Sequence, residues 1–502
     1  MMTASAQHNL PTLGHLVPEL SSFQEASLRV GRLISDSRNI ESGDCFVALV
    51  GTQLDGTQFI DGAIKRGAKM VVVAGASFDV SYLAGRVALI TVPNLAAVLS
   101  EIAGRWFGHA SKNMNVVAIT GTNGKTTCCQ WLAQILNSDK NPCGSIGTLG
   151  FGRVGEPLIE TGLTTPDAIT TQSIVAQLHS DGATSLVMEA SSHSLEQNRA
   201  AAVDIDVAVF TNIGRDHLDY HGDLASYVEA KVKLMRFASL RAAVINLDDA
   251  YAATFIDALD STVPVITFGF DSRADLTIAN VRYLGQGITG DIVYAGQQWS
   301  IVLGVWGEFN VSNLLAVIAA AIAVGESVES VIKKLNLLQP IAGRLQSVDG
   351  GSALQVLVDF AHTADALESV LTAIRAHSEK KLWCVFGCGG DRDKGKRPMM
   401  AAVAERLADQ VVITSDNPRS EDPDTILQDV LAGFDHPENV VTKVDRQAAI
   451  EFAINDAVGG DCILIAGKGH EQYQLVGSKK IDFCDVTVAK AALKKRLQKE
   501  VV

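Results

Sequence analysis

The chain has 502 residues, of which 47% are hydrophobic, and its formal net charge is −14 at pH 7. The length predicts about three domains, and the apolar content is sufficient for packed cores. The negative charge argues against a general nucleic-acid binder or a protein that binds anionic membranes. It does not exclude a phosphate site in which the basic residues are concentrated in one cleft.

The remaining composition favours a soluble α/β protein. The 43 glycines and the aromatic content of 6% are typical of aliphatic sheets with many tight turns. The eight cysteines include no C-x-x-C pair, which fits reduced thiols. The first residues lack the features of a secretory signal, and no apolar run reaches the roughly 18 residues that span a membrane. We therefore expect a cytoplasmic protein with no nucleic-acid or membrane partner. We also expect it to act as a monomer on small molecules.

Residues 1–112 are predicted to form a small α/β domain. Its predicted elements are a strand, a glycine-bounded turn, a helix and a buried strand, at 44–50, 51–56, 58–66 and 70–74. Ser37 and Arg38 precede the first strand. They could cap a turn or contact a ligand, and the residue types alone do not decide between these interpretations.

The stretch 115–127 has the order of a phosphate-binding loop, namely a strand, a glycine-bounded turn and a helix start. Gly121 and Gly124 let backbone N–H groups face a polyphosphate, and the helix start adds its own N–H groups and positive dipole end. Lys125 supplies a charge for the β- and γ-phosphates, and the Thr126 hydroxyl is a natural magnesium ligand. The glycines are two residues apart instead of four, and a turn that merely exposes a lysine is the simpler alternative. ATP binding is our working hypothesis.

The second domain, predicted for 113–340, alternates strands and helices as a doubly wound sheet does. Glu189 and Thr211 each close an apolar strand, so they fall where ligands collect outside the carboxyl ends of strands. A carboxylate there is placed to hold magnesium through oxygen. His217 could ligate a second ion or be a structural histidine, and no His/Cys cluster has transition-metal spacing.

Lys231 lies in a segment, 226–234, whose pattern predicts an amphipathic helix. From the residues alone it would be a solvated lysine, and periodicity offers no reason to prefer it to Lys233. Further along, the alternation in 274–305 predicts an antiparallel meander, and 309–324 predicts a long aliphatic helix.

The third domain, predicted for 341–502, contains four buried strands that are each followed by a polar loop and a helix. The strands are predicted at 355–359, 382–387, 411–415 and 462–467. The loops that carry chemistry are 359–362, 389–397, 416–420 and 467–471. Four such loops on one rim of a sheet indicate a binding site.

The loop from Asp416 to Arg419 suits a zwitterionic amino acid. Pro418 stiffens the turn, while the carboxylate can take an ammonium group and the guanidinium can take a carboxyl group. The basic loop 391–397 is either a solvated surface or, because it follows a buried strand, an anion site. Together with an ATP site, these features predict amide ligation, in which phosphorylation of a carboxylate gives an acyl phosphate that an amine attacks.

The ordered motifs resemble those of the Mur ligases of bacterial cell-wall synthesis, over nearly the whole chain. The motifs are 36–38 (DSR), 121–127 (GTNGKTT), 164–167 (TTPD), 189–193 (EASSH), 211–221 (TNIGRDHLDYH), 227–231 (YVEAK), 307–310 (GEFN) and the four loops of the third domain. The resemblance implies a three-domain α/β fold: a small N-terminal α/β domain that binds the UDP-substrate, a central P-loop ATPase-type doubly wound sheet, and a C-terminal Rossmann-like domain that binds the amino acid. It also implies ATP-dependent ligation onto UDP-N-acetylmuramoyl-L-alanyl-D-glutamate, in cytoplasmic peptidoglycan precursor synthesis.

The resemblance implies residue roles that spacing does not provide. Lys231 matches a lysine that is carbamylated in this family and so becomes an anion that helps to hold magnesium. The implied catalytic residues are Lys125, Glu189, His217 and Lys231, and the implied metal ligands are Thr126, Glu189, His217 and Lys231. The implied nucleotide-binding residues are Gly121, Thr122, Asn123, Gly124, Lys125, Thr126, Thr127, Asn310 and Arg344. The implied muramoyl-dipeptide residues are Ser35, Ser37, Thr52, Gln53, Leu54, Thr164, Thr165, Ser191, Gln197 and Arg199. The implied amino-acid pocket is Arg392, Asp416, Asn417, Pro418, Arg419, Gly467 and Glu471.

Arg419 distinguishes among amino acids within the family. Relatives with arginine at this position take meso-diaminopimelate, whose second carboxylate pairs with the guanidinium, so the resemblance implies this substrate with ATP and Mg²⁺. L-lysine is the alternative amino acid, sister ligases add D-alanyl-D-alanine or glutamates on folate, and an ATP-dependent binding scaffold without ligase activity is the alternative from another class. The chain departs from many relatives at Phe360, where tyrosine is common, and after Asp485, where an arginine is often found.

Overall fold

The computed structural model describes residues 10–51, 54–83, 86–285, 287–348 and 353–500, with the side chains of 499 and 500 omitted. The predicted substrate residues Thr52 and Gln53 lie outside the described residues. The chain divides into two compact units, one formed by Met1–Phe268 with Ala316–Ser327 and the other by Gly269–Leu315 with Val328–Val502.

The first unit begins with a five-stranded sheet in the order β1-β2-β3-β5-β4, parallel except for β4. Its strands are β1 Leu33–Ile34, β2 Cys45–Ala48, β3 Met70–Ala74, β4 Asp79–Leu83 and β5 Val87–Val92. Its helices are α1 Leu13–Leu16, α2 Ile60–Arg66 and α3 Leu95–Trp106. The two predicted strands and the predicted helix of this region are present. Strand β4 was not predicted, because its residues are largely exposed and form no apolar run.

A second sheet of the first unit carries the phosphate-loop motif at its centre. Its strands are β6 Asn115–Thr120, β7 Cys143–Gly147, β8 Gly150–Arg153, β9 Ser185–Glu189, β10 Val207–Phe210, β11 Ala242–Asn246 and β12 Val265–Gly269. They run in the order β12-β11-β10-β6-β9-β7-β8, all parallel except β8. Its helices are α4 Lys125–Leu136, α5 Ala168–Ser180, α6 Ser192–Glu196, α7 Leu218–His221, α8 Leu224–Val232 and α9 Ala252–Asp257. Strand β6 lies between β9 and β10. The phosphate loop after β6, Glu189 at the end of β9 and Thr211 after β10 are therefore at neighbouring strand ends.

Polar side chains begin the helices beside this sheet. Asp167 accepts hydrogen bonds from the N–H groups of Ile169 and Thr170 at the start of α5, and Asp223 accepts one from Ser226 in α8. Such caps satisfy backbone donors that a helix leaves without intrahelical partners. They fix where α8 begins, and with it the position of Lys231 in its last turn.

The second unit contains the predicted meander and the predicted Rossmann-like sheet. The meander is β13 Leu276–Leu284, β14 Gly287–Tyr294 and β15 Gln297–Leu303. It is followed by α10 Glu308–Val324, whose residues from Ala316 onward belong to the first unit, and by α11 Val328–Leu335. The six-stranded sheet is β16 Gln346–Ser347, β17 Gln355–Asp359, β18 Leu382–Phe386, β19 Gln410–Thr414, β20 Val441–Lys443 and β21 Cys462–Ala466. A separate hairpin is β22 Tyr473–Val476 and β23 Lys479–Asp482. The helices beside the sheet are α12 Ala364–Arg375, α13 Lys396–Leu407, α14 Pro423–Leu431, α15 Arg446–Asp456 and α16 Asp485–Glu500.

The order β16-β17-β21-β18-β19-β20 is parallel except for β16. The four predicted strands of this sheet are present to within one residue at each end. Because β17, β21, β18 and β19 are adjacent and parallel, the loops after them share one edge of the sheet. The hairpin was not predicted, since its second strand is exposed and carries two lysines.

A buried ion pair supports this edge. The Arg446 guanidinium donates to the Asp485 carboxylate at 2.8 and 2.7 Å, and both side chains are fully buried. Arg446 also donates to the carbonyl of Ala466 at the end of β21, at 2.9 Å. Asp485 thus has a bidentate partner on α15 although valine, not arginine, follows it in the chain.

Two broader expectations concern the whole chain. All eight cysteines lie in the described ranges and none forms a disulfide, in agreement with the sequence analysis. Among the described residues, no helix combines the length and the apolar character that crossing a bilayer requires.

Candidate functional site

The loop between β6 and α4 has the shape of a phosphate cradle. Gly121 and Gly124 adopt φ values of +148° and +85°, which favour glycine. No described side chain caps the start of α4, and a helix N-terminus directs its first N–H groups and positive dipole end toward an anion. The Lys125 ammonium donates to the carbonyls of Gly121 and Thr122 at 3.0 and 2.8 Å. This geometry fits a polyphosphate bound by backbone N–H groups and a lysine.

We expect Gly121→Ala to weaken ATP binding at least about tenfold, because a Cβ there would stand 1.9 Å from the Thr211 hydroxyl oxygen. That hydroxyl donates to the Asn123 carbonyl at 2.7 Å, so its displacement would break the hydrogen bond that shapes the loop. The dissociation constant for ATP measures the effect. Gly155→Ala is the matched control, since Gly155 has a φ of +91° with no atom within 4 Å of the added Cβ. Unchanged affinity in Gly121→Ala would contradict the assignment of the loop.

Glu189, at the end of β9, is fully buried and surrounded by hydroxyl groups. The Thr126 hydroxyl donates to its Oε2 at 3.1 Å, and Thr148 donates to Oε1 through N–H at 2.8 Å and to Oε2 through its hydroxyl at 3.1 Å. Carboxylate and hydroxyl oxygens are ligands that Mg²⁺ accepts. Thr148 was not predicted, although it follows β7 and could have been found as the polar residue after an apolar strand.

In the described part of the chain, no three His, Cys, Asp or Glu side chains form a ready-made metal cage. A cation beside Glu189 would therefore need the Thr126 hydroxyl and further oxygen donors. The donor set fits a hard cation such as Mg²⁺ better than a transition metal, which favours imidazole and thiolate.

Lys231 is buried, with 1% of its surface exposed, so the expectation of a solvated lysine is wrong. Its ammonium donates to the Gly121 carbonyl at 2.7 Å and lies 4.5 Å from the centre of the Tyr227 ring. Lys233 instead pairs with Glu196 at 2.6 Å, and 34% of its side chain is exposed. The difference arises because α8 packs one face against the phosphate loop, which local periodicity does not reveal.

The environment of Lys231 suits carbamate formation. Burial, followed by the nearby charge of Lys125, holds the pKa of Lys231 well below its usual value. A lowered pKa increases the fraction of neutral amine, and the neutral amine is the form that attacks CO₂. The structure thus supplies a physical reason for a role that only the resemblance implied.

His217 lies in an aromatic cluster next to these residues. Its ring packs edge-to-face on His193 at 4.7 Å, and its Nε2 lies 3.4 Å from the Asp216 carboxylate. Burial lowers the pKa of His193 to about 4, with His217 as the next cause, so His193 is neutral near pH 7. Tyr220 packs on the other side of His193 at 4.2 Å. His193 and Tyr220 were not among the predicted site residues.

Four of the residues implied for the muramoyl-dipeptide, Thr165, Ser191, Gln197 and Arg199, form one hydrogen-bonded network. Arg199 donates to the Gln197 side-chain oxygen at 3.0 and 2.7 Å and to the Thr165 carbonyl at 2.9 Å. The Thr165 hydroxyl donates to the Glu189 carbonyl at 2.7 Å and accepts from the Ser191 N–H at 3.3 Å. The structure therefore brings these residues together with the acidic residue at the end of β9.

The other predicted dipeptide residues have separate surroundings. The Thr164 hydroxyl lies 3.1 Å from that of Thr148. Ser35 follows β1, and Ser37 starts a short helix whose cap is Asp36. Leu54 is 67% exposed. Their binding roles stay predictions.

In the second unit, three loops meet around Asn417 and Arg419. The Gly390 N–H donates to the Asn417 carbonyl at 2.9 Å, and the Arg419 guanidinium donates to the Gly390 carbonyl at 2.7 Å. Gly467 approaches so closely that an added Cβ would stand 2.7 Å from the Asp416 carboxylate. The loops after β18, β19 and β21 thus form one pocket edge, and Pro418 is buried within it.

The basic loop 391–397 divides into two parts. Arg397 is fully buried and pairs with Glu421 and Asp429 at 2.9 and 2.8 Å, so it is structural. Arg392 is exposed, and its guanidinium donates to the neighbouring Asp391 carbonyl at 3.3 Å. Only the exposed part of the loop can meet a ligand without breaking a buried ion pair.

Asn310 and Arg344, implied for the nucleotide, belong to the second unit. The Asn310 amide donates to the Trp306 carbonyl at 2.9 Å and accepts from Asn313 at 3.1 Å. The Arg344 guanidinium lies 5.1 Å from the centre of the Phe360 ring. A phenyl face supports such a cation–π contact as a tyrosine ring does, so the departure at Phe360 keeps this interaction.

Lys468 and the hairpin that borders the pocket were not predicted as parts of the site. Lys468 is fully buried, and Leu475 in β22 contacts both Asn417 and Arg419. The signal for Lys468 was a lysine between two glycines directly after a buried strand. The sequence pattern that indicates the hairpin is weak, because its residues are mostly polar or exposed.

Comparison with known families gives matches along the chain. The model described as "Mur ligase family, catalytic domain" matches 31–107, "Mur ligase middle domain" matches 119–321, and "Mur ligase, glutamate ligase domain" matches 343–469. The UDP-N-acetylmuramoyl-L-alanyl-D-glutamate–2,6-diaminopimelate ligase of Pseudomonas putida is 44% identical over 475 residues, which cover 92% of this chain and 95% of that protein. The enzyme of the same name from Coxiella burnetii is 41% identical over 486 residues, which cover 96% and 99%.

Solved structures show the same fold. A UDP-N-acetylmuramoyl-L-alanyl-D-glutamate–2,6-diaminopimelate ligase is similar with a TM-score of 0.72 and 35% identity, over 97% of this chain and 99% of that chain. MurF ligase from Thermotoga maritima, solved in complex with ADP, has a TM-score of 0.62 at 18% identity, over 94% and 99%. These likenesses confirm the predicted three-domain α/β architecture. The boundaries 1–112, 113–340 and 341–502 stay a prediction.

Proposed function

Because the chain belongs to the Mur ligase family, we propose that it joins meso-diaminopimelate to UDP-N-acetylmuramoyl-L-alanyl-D-glutamate at the expense of ATP. It is an ATP-dependent ligase that forms an amide bond in peptidoglycan precursor synthesis. The observation that carries the choice of amino acid is the Asp416–Arg419 loop, whose guanidinium and carboxylate lie on one pocket edge.

The proposed reaction has two steps with balanced atoms. A carboxylate oxygen of the dipeptide attacks the γ-phosphorus of ATP, the bond from that phosphorus to the bridging oxygen breaks, and ADP leaves. The amine nitrogen then attacks the acyl carbon, the bond from that carbon to the phosphate oxygen breaks, and inorganic phosphate leaves while the amine loses a proton. Positioning and charge stabilisation are the main contributions of the protein.

The residues of the first unit support the phosphorylation step. The backbone N–H groups from Gly121 to Lys125 would bind the polyphosphate, and the Lys125 ammonium would move from its loop carbonyls to the β- and γ-phosphates. The Thr165, Gln197 and Arg199 network would orient the dipeptide near Glu189. The carboxylate that reacts would thus be held beside the phosphate loop.

We propose that Mg²⁺ binds beside Glu189. Thr126, Glu189, His217 and carbamylated Lys231 would hold it, in keeping with the oxygen donors around the Glu189 carboxylate. When bound, Mg²⁺ neutralises charge that develops on a phosphoryl group during transfer. The low pKa of Lys231 supports its conversion to an anionic ligand.

The pocket of the second unit would hold the amino acid. Arg419 would pair with the carboxylate at the far end of diaminopimelate, and Asp416 and Glu471 would accept from its ammonium groups. L-lysine lacks that carboxylate and would leave the guanidinium without its partner. We also propose that the enzyme is a cytoplasmic monomer that acts on these small molecules.

Release of ADP in the presence of different amino acids tests the function. We expect ADP release to require both the UDP-muramoyl-dipeptide and an amino acid, with meso-diaminopimelate used far better than L-lysine. Identical assays without the dipeptide provide the control. ATP turnover that is indifferent to both substrates would favour the binding scaffold, and preferential use of L-lysine would change the assigned substrate.

A further inference from the structure

Lys468 is a fully buried lysine that the proposed mechanism does not use. Its ammonium donates to the Asn417 side-chain oxygen at 3.1 Å and to Glu471 Oε2 at 2.8 Å. Burial of a cation is unfavourable unless it is paired and hydrogen-bonded. Both partners of Lys468 are residues of the amino-acid pocket, so its pairing acts directly on that pocket.

The three side chains form a closed triangle. The Asn417 amide nitrogen donates to Glu471 Oε2 at 2.8 Å, while its oxygen also accepts from the Leu475 N–H at 2.9 Å. These contacts determine which way the Asn417 amide faces. Both side-chain bonds to Glu471 use Oε2, so Oε1 accepts no hydrogen bond from the described residues. Because 21% of the Glu471 side chain is exposed, that oxygen can meet a ligand.

The triangle is linked to Arg419 through β22. The Arg419 N–H donates to the Leu475 carbonyl at 2.9 Å, and the Arg419 carbonyl accepts from the Gly477 N–H at 2.7 Å. Arg419 has a φ of +51°, which is unfavourable for a side chain larger than glycine and needs such support. Leu475 therefore links the side-chain amide of Asn417, which Lys468 holds, to the backbone of Arg419.

We propose that Lys468 is a positioning residue that determines amino-acid specificity, by orienting Asn417 and Glu471 and balancing the charge of the pocket. This inference rests on the proposed function. The far end of diaminopimelate carries one ammonium and one carboxylate and is neutral overall, whereas the far end of L-lysine is a cation. The positive charge of Lys468 repels the cationic far end of L-lysine. With Lys468 bound to Oε2 of Glu471, Oε1 is left to accept a hydrogen bond from the far-end ammonium of diaminopimelate, while Arg419 binds the far-end carboxylate.

Substitution of Lys468 tests the inference through substrate preference. We expect Lys468→Met to raise the KM for meso-diaminopimelate at least tenfold, with the KM for ATP unchanged. We also expect the ratio of kcat/KM for meso-diaminopimelate to that for L-lysine to fall at least tenfold, because removal of a positive charge favours the cationic substrate. Lys468→Arg keeps the charge and should retain most of the preference. Lys480→Met, which removes an exposed lysine of the bordering hairpin, is the control.

A merely structural role would lower activity with both amino acids alike, so an unchanged ratio in Lys468→Met would overturn the inference. If Lys468→Met does not fold, Lys468→Gln provides the same comparison, since it keeps an N–H donor and removes the charge. Wild-type enzyme that cannot use meso-diaminopimelate would overturn the proposed function as well. Wild-type use of this substrate with an unchanged ratio in the variants would overturn only the role of Lys468.

Discussion

Lys231→Ala should lower the ligase kcat by about 10²- to 10³-fold, the effect of removing one preorganised charge-stabilising group from an active site. The substitution removes a buried side chain that contacts the phosphate loop at the Gly121 carbonyl. It also removes the proposed carbamate, and with it a negative charge beside the magnesium site. ADP release at saturating substrates measures the loss.

Lys233→Ala is the matched control for Lys231→Ala, because it removes a partly exposed lysine two residues away that pairs with Glu196. Its activity should stay close to that of the wild type. A short carboxylic acid such as acetate should partly restore Lys231→Ala, since it can place a carboxylate in the vacated space. Full activity in Lys231→Ala would refute the carbamate role, and a loss that no carboxylic acid relieves would favour a purely structural lysine.

Arg419→Ala should lower kcat/KM for meso-diaminopimelate by about 10²- to 10³-fold, or about 3–4 kcal/mol of transition-state binding. The variant removes the guanidinium that we expect to pair with the distal carboxylate of the substrate. The KM for ATP should stay unchanged, because the phosphate loop does not include this residue. Steady-state kinetics with each substrate varied in turn separate the two effects.

Arg406→Ala is the control for Arg419→Ala, since Arg406 is largely exposed on α13 and pairs with Glu368 on the surface. It should leave both kinetic parameters near the wild-type values. Equal losses of ATP and diaminopimelate use in Arg419→Ala would count against its assignment to the amino-acid pocket. An Arg419→Ala variant whose turnover of L-lysine equals that of the wild type would be consistent with the assignment.

Much of the fold could be predicted because buried parallel strands are unbroken apolar runs. Strands β3 and β17 begin and end where they were predicted, β9 ends at Glu189 as expected, and each of the three is buried along most of its length. The exposed strand β4 and the hairpin β22–β23 could not be predicted in this way. Their residues alternate weakly or are polar, and their pairing depends on neighbours that are distant in the chain.

The candidate site was predicted unevenly for the same reason. The phosphate loop carries its chemistry within one stretch, so Gly121, Gly124 and Lys125 could be identified from local order alone. Tyr220 could not, because its contact with His193 joins two separate short helices.

The sequence by itself determined the class of fold, the position of the phosphate loop and the loops that carry polar chemistry, since each depends on residues that are neighbours in the chain. Only the tertiary structure decided that Lys231 is buried while Lys233 is not, and that Lys468 joins Asn417 to Glu471. Lys231 reaches a carbonyl 110 positions away, and Lys468 reaches an amide 51 positions away. Burial and charge at such sites are set by packing between distant segments, which no local pattern of residues records.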